Sequence, residues 1–154
     1  MQKLLISSCL FGNPVRYNGK ALALELQTLK QHFELVPFCP EVSAGLPTPR
    51  PPAEIIYRQK HDTTRVVQDD GLDVTDAFIH GAKLTLKFCQ THHIKLALLT
   101  EFSPSCGSTE IYDGTFSGSK ISGQGVTAQL LNQHGVKVFN QFNINALIER
   151  VTRA

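Results

Sequence analysis

Three short apolar runs in this chain each lead to a cysteine. Cys9 follows Lys3-Leu4-Leu5-Ile6-Ser7, and Cys39 follows Glu34-Leu35-Val36-Pro37-Phe38. Cys106 follows Ile94-Lys95-Leu96-Ala97-Leu98-Leu99 by way of Ser103-Pro104-Ser105. Runs of this length between breakers read as buried strands. Parallel strands would bring the three thiols to one sheet edge, where α/β proteins place ligands. Structural zinc takes four ligands, with close pairs such as C-x2-C, whereas these cysteines lie about 30 and 67 residues apart. Three thiolates do suffice for an iron–sulfur cubane with one iron left open. Such an iron is a Lewis acid that can bind a substrate atom, and a soft sulfur would be its natural guest. An iron–sulfur cluster on Cys9, Cys39 and Cys106 is therefore the leading reading.

Other chemistries remain open. Cys106 could be a nucleophile with His92 or His93 as base. Those histidines precede the third strand, which puts them roughly 20 Å or more of extended chain from Cys106 at ~3.3 Å per residue. A Cys3His zinc site is a further possibility. Gly118-Ser119-Lys120 hints at a phosphate loop, without the Walker spacing. The fourth cysteine, Cys89, falls on the apolar stripe of a helix and reads as a small core residue. His32, His61, His80 and His134 have no mutual spacing and read as surface or satisfied polar positions.

The elements that must hold these residues alternate between strand and helix. After a first strand over Lys3–Ser7 comes a loop with Gly12 and Pro14, a turn at Arg16-Tyr17-Asn18-Gly19, and a helix over Ala21–His32. The second strand, Glu34–Phe38, opens into a segment whose Pro47, Pro49, Pro51 and Pro52 exclude regular structure. Such a stiff loop can be a plain connector or a rigid holder for a thiolate and a carboxylate. Glu54–Tyr57 and Thr63–Val67 suggest an edge hairpin. Asp73-Val74-Thr75-Asp76 starts a helix to about Thr91. Residues 108 to 123 show no clean period. A helix over Gln124–Gln133 ends at Gly135, Val136–Phe139 forms a fourth strand, and Asn143 caps a final helix over Ile144–Val151. This order predicts a single three-layer α/β domain over residues 1–154, with a mainly parallel, Rossmann-like sheet.

Composition narrows the function classes. The 154 residues are 42% hydrophobic and 18% charged, with net charge +2. That balance is ordinary for a globular chain and gives no strong nucleic-acid signal. No apolar run approaches the roughly 20 residues that span a bilayer. With no signal-peptide pattern at Met1, the expected location is the cytoplasm. There thiols stay reduced, so the four cysteines are expected as ligands, nucleophiles or core residues rather than disulfides.

The motifs taken together carry a family resemblance. Ser8-Cys9-Leu10-Phe11-Gly12 with Arg16-Tyr17-Asn18-Gly19, then Cys39-Pro40-Glu41-Val42 with Gly45-Leu46-Pro47-Thr48-Pro49-Arg50, then Ser103-Pro104-Ser105-Cys106-Gly107, resemble the motifs of the thiouracil desulfurase family, in family order and over nearly the whole chain. The resemblance implies a [4Fe–4S] cluster held by Cys9, Cys39 and Cys106, with one iron not ligated by protein. It implies non-redox hydrolysis of a thiolated pyrimidine, 2-thiouracil or a related base, nucleoside or nucleotide, to the oxo base and sulfide. Glu41 matches the family's acid/base carboxylate and Ser103 its catalytic serine. Arg16 and Arg50 would either approach the site or form structural ion pairs. Many relatives carry lysine three residues before the first serine of Ser-Pro-Ser-Cys-Gly. Here that position is Thr100, a departure that bears on the thio-substrate. A non-catalytic metal or sulfide carrier and a zinc-stabilised domain are the alternatives on the same scaffold.

Overall fold

The computed structural model describes residues 1–12, 17–18, 26–56 and 65–152. In chain order its elements are β1 (Gln2–Ser7), α1 (Gln27–His32), β2 (Phe33–Phe38), α2 (Pro40–Ser43), β3 (Ala53–Ile56), β4 (Arg65–Gln68), α3 (Thr75–Thr91), β5 (Leu96–Leu98), β6 (Glu110–Tyr112), β7 (Lys120–Ser122), α4 (Val126–Gln133), β8 (Lys137–Phe139) and α5 (Ile144–Thr152). Four of the strands form a parallel sheet in the order β2-β1-β5-β8. Its layering follows from strand alternation. Leu4, Ile6, Leu96 and Leu98 point to one face and pack with Leu29 of α1 and Leu147 of α5. Leu5 and Ala97 point to the other and pack with Cys89 of α3 and with Ala128 and Leu131 of α4. Helices thus cover both faces, as the βα alternation predicts.

The strands before the three cysteine motifs end at Ser7, Phe38 and Leu98, in register: Ile6 pairs with Pro37 and with Leu98, and Ser7 with Phe38. Their carboxyl ends therefore share one edge. Pro37 is tolerated because β2 is the outer strand, where a missing N–H costs no ladder bond. A third cluster, Ile55, Val66, Val74, Phe78 and Ile111, lies under the antiparallel pair β3–β4.

The helix expected over Ala21–His32 is described only from Gln27, its start falling with Arg16 and Gly19 outside the described residues. The hairpin expected at Glu54–Tyr57 and Thr63–Val67 is present as β3–β4, with Tyr57, His61, Thr63 and Thr64 also outside them. Residues 108 to 123 are more regular than their sequence suggests. They contain the antiparallel pair β6–β7, whose strands of three residues are too short to display a period of two. Gly118 and Ser119 lie in the connection of that pair and open no helix, so the phosphate-loop reading fails. Asn143 precedes α5 as expected, but its side chain accepts from the Asn140 N–H at 2.7 Å rather than from an amide of the helix.

Candidate functional site

A cavity of about 620 Å³ opens at the carboxyl edge of the sheet, and Cys9, Cys39, Cys106, Glu41 and Ser103 all line it. Cys89 does not: it is fully buried against the sheet, where burial pushes its thiol up to about 11. His92 and His93 are not in the lining either. His92 stacks on Phe88 at 4.3 Å between ring centroids, behind the sheet, so the Cys–His dyad is not assembled.

Each cysteine is seated by its own local device. Cys9 lies in a turn whose Leu10 and Phe11 amides donate to the Ser7 carbonyl at the end of β1. Its sulfur is 2.9 Å from the Thr100 hydroxyl, and the Thr100 N–H donates to Ser7 Oγ at 2.9 Å. Thr100 thus ties the end of β5 to the first cysteine. Cys39 has extended backbone and leads directly into α2, with Pro40 at the first helical position, a place that suits a residue lacking N–H. Gly81 of α3 allows the approach, since a Cβ there would overlap the Pro40 carbonyl oxygen.

Cys106 sits in a turn closed by Ser103, whose hydroxyl oxygen accepts from the Ser105 and Cys106 amides at 3.0 and 3.1 Å. The turn is bound to α4. The Pro104 carbonyl takes the Val126 N–H, and the Ser105 carbonyl takes those of Thr127 and Ala128. These bonds satisfy first-turn amides that a helix leaves open. Ser105 Oγ completes the joint by bonding Thr127 Oγ1 at 2.8 Å. No side chain fits at Gly125, where a Cβ would overlap the Ser105 carbonyl. Gly125→Ala is therefore expected to destabilise the protein by about 1–3 kcal/mol, the usual cost of overpacking, and to displace the Cys106 turn. Thermal unfolding reads the first effect, and an unchanged melting temperature would contradict this packing.

Charge completes the site. Glu41 Oε2 forms a close ion pair with Arg50, whose Nε also donates to it at 3.2 Å. Arg50 is anchored in turn to the Pro47 carbonyl and the Thr48 hydroxyl. Arg50 fills both roles open to it, lining the cavity and pairing with Glu41, while Arg16 lies outside the described residues. Burial raises the Cys39 thiol first and the charge of Glu41 second, partly countered by the Val42 and Glu41 amides and by Arg50. Cys106 is pushed well above the ordinary thiol range, mainly by burial, then by Glu41, Cys39 and Cys9, with the Ser105 hydroxyl acting in the opposite direction. That sensitivity to both other sulfurs marks the three as electrostatic neighbours. With their thiols raised, Cys39 and Cys106 would have to lose protons on binding a metal.

Two groups escaped the reading of the sequence. Glu101 is buried, and its Oε1 accepts from the Phe102, Ser108 and Thr109 amides while Oε2 accepts from Thr109 Oγ1 at 2.5 Å and Asn140 Nδ2 at 2.6 Å. It ties both sides of the Cys106 turn to the end of β8. An acidic residue after an apolar run carries no sign of that role. The second group is an aromatic rim: Phe102 contacts Tyr112 and Phe142 at 6.2 and 5.8 Å between centroids, with Lys120 Nζ 3.8 Å from the Phe102 ring centre. Cavities walled by aromatic side chains with a few placed polar groups suit small planar ligands.

The donor set suits a soft metal centre, because three thiols share one cavity. Among the described residues, no three His, Cys, Asp or Glu side chains gather where one metal ion could sit.

Ser103→Ala would leave the Ser105 and Cys106 amides without their acceptor. The expected cost is about 1–3 kcal/mol, read as a lower melting temperature. A variant as stable as the parent would contradict the turn-closing role.

Comparison with known proteins places the whole chain beside one family. The family described as 2-thiouracil desulfurase matches residues 4–143. The uncharacterized protein YbbK of Bacillus subtilis (strain 168) is 43% identical over 150 residues, covering 94% of this chain and 99% of its own. The solved structure of the [4Fe–4S]-dependent thiouracil desulfidase TudS superposes with a TM-score of 0.89 at 43% identity, with both chains fully covered.

Proposed function

Because this chain belongs to the 2-thiouracil desulfurase family, we propose that it is a [4Fe–4S]-dependent desulfurase that replaces the sulfur of a thiolated pyrimidine with oxygen. The observation that carries the proposal is the meeting of Cys9, Cys39, Cys106 and Glu41 in one cavity. Cys9, Cys39 and Cys106 are the cluster ligands in this reading, which leaves one iron without a protein ligand. When bound, the cluster supplies a soft Lewis acid able to polarise a C–S bond. Residues 1–154 act as one domain around it.

The chain's own residues supply the rest. The reaction exchanges C=S for C=O with water as the oxygen source, and sulfur leaves as hydrosulfide, so no electrons are gained or lost. Glu41, held by Arg50 at the cavity wall, handles the proton that must leave water and reach a ring nitrogen or the departing sulfur. Ser103 has its oxygen occupied by two amides, so its own O–H is left to donate toward substrate or water. The aromatic residues Phe102, Tyr112 and Phe116 in the cavity lining offer faces for a planar ring and keep bulk water back.

Anaerobic purification tests the cofactor. Brown protein with matching iron and acid-labile sulfide is the expected result. Colourless protein with stoichiometric zinc would overturn it in favour of the zinc-stabilised alternative.

A further inference from the structure

We propose that Thr100 is a positioning residue for Cys9, whose hydroxyl donates a hydrogen bond to the Cys9 sulfur and withdraws charge from the cluster held there. The proposal rests on the reading of Cys9 as a cluster ligand. Thr100 Oγ1 lies 2.9 Å from Cys9 Sγ although the residues are 91 positions apart. The pairing of Ile6 with Leu98 brings the ends of β1 and β5 side by side. The Thr100 amide donates to Ser7 Oγ, so backbone and side chain are both tied to the segment that carries Cys9. A β-branched side chain adds stiffness at χ1.

Between a free thiol and a hydroxyl the bond can run either way. A metal-bound thiolate has no proton and can only accept, which makes Thr100 the donor once Cys9 is ligated. Hydrogen bonds to ligand sulfurs are among the levers that set the reduction potential of an iron–sulfur cluster. A donor favours the reduced, more negative state, so removing it moves the potential down. In a hydrolytic reaction the same withdrawal of charge favours binding of a substrate sulfur. Thr100 thereby has a function distinct from ligation and from proton transfer.

The test compares wild type, Thr100→Ser and Thr100→Val after anaerobic reconstitution with iron and sulfide. Iron and sulfide content is measured first, then a potentiometric titration followed by electron paramagnetic resonance. Valine matches the shape of threonine, and the amide bond to Ser7 does not depend on the side chain, so the fold is retained. Thr100→Ala is the second variant should valine crowd the sulfur. The expected result is cluster uptake by all, a potential shifted to more negative values in Thr100→Val and Thr100→Ala, and a value near wild type in Thr100→Ser. Cluster loss in Thr100→Val and Thr100→Ala, with Thr100→Ser loaded, also supports the bond. Equal potentials in fully loaded wild type and Thr100→Val overturn the proposal and leave the ligand set standing. A wild type that takes up no cluster overturns the ligand reading first and this proposal with it.

Discussion

Cys106→Ser protein prepared without oxygen is expected to carry no iron–sulfur cluster, and Cys9→Ser and Cys39→Ser are expected to behave alike. Ligand count is the reason. The described residues place three cysteines on the cavity, so losing one leaves two irons without a protein ligand. Serine matches cysteine in shape but offers a harder oxygen that soft iron disfavours. Cys89→Ser should keep its iron, because Cys89 packs in the core between α3 and the sheet, away from the cavity. A buried hydroxyl there costs stability, about 1–3 kcal/mol if unpaired, so Cys89→Ala serves as a second control. Iron and acid-labile sulfide assays on the set decide the matter. Full iron content in Cys106→Ser would rule out the ligation proposed for it.

Glu41→Gln is expected to keep the cluster and lose turnover by about 10²–10⁴-fold, the usual contribution of general acid–base catalysis. The amide retains an oxygen for Arg50 but cannot carry the proton. The variant also removes the counter-charge of a buried guanidinium, since the Arg50 and Glu41 side chains are only 5% and 15% exposed. Breaking such a pair costs on the order of 3–5 kcal/mol, so unfolding must be followed alongside activity. Loaded, folded Glu41→Gln with wild-type rates of sulfide release would remove the carboxylate from the mechanism.

The parts of this architecture that were legible in the sequence are those that repeat with a physical period. The long helix α3 shows its apolar stripe at spacings of three and four, and Phe78, Ala82, Thr85 and Cys89 are indeed its buried face. The runs before Cys9 and Cys106 are short and continuous because β1 and β5 are inner strands buried on both faces, whereas β2 before Cys39 is a half-buried edge strand, and the parallel register then brings the three strand ends to one edge. Local sequence carries less about groups that meet through loops. Arg50 finds Glu41 only because a proline-rich turn reverses the chain between them. Glu101 acquires its role from amides and side chains up to 39 positions away. The bond from Thr100 to Cys9 depends on β1 and β5 being neighbours, which no spacing reveals. The pair β6–β7 was hidden by its brevity.

The most direct test of the central claim is sulfide release from 2-thiouracil by anaerobically reconstituted protein, with uracil measured in the same samples. The account predicts equal amounts of sulfide and uracil, with no added oxidant or reductant, and none from the apoprotein. A fully loaded cluster that releases no sulfide from 2-thiouracil or other thiopyrimidines would contradict it and favour a non-catalytic metal or sulfide carrier.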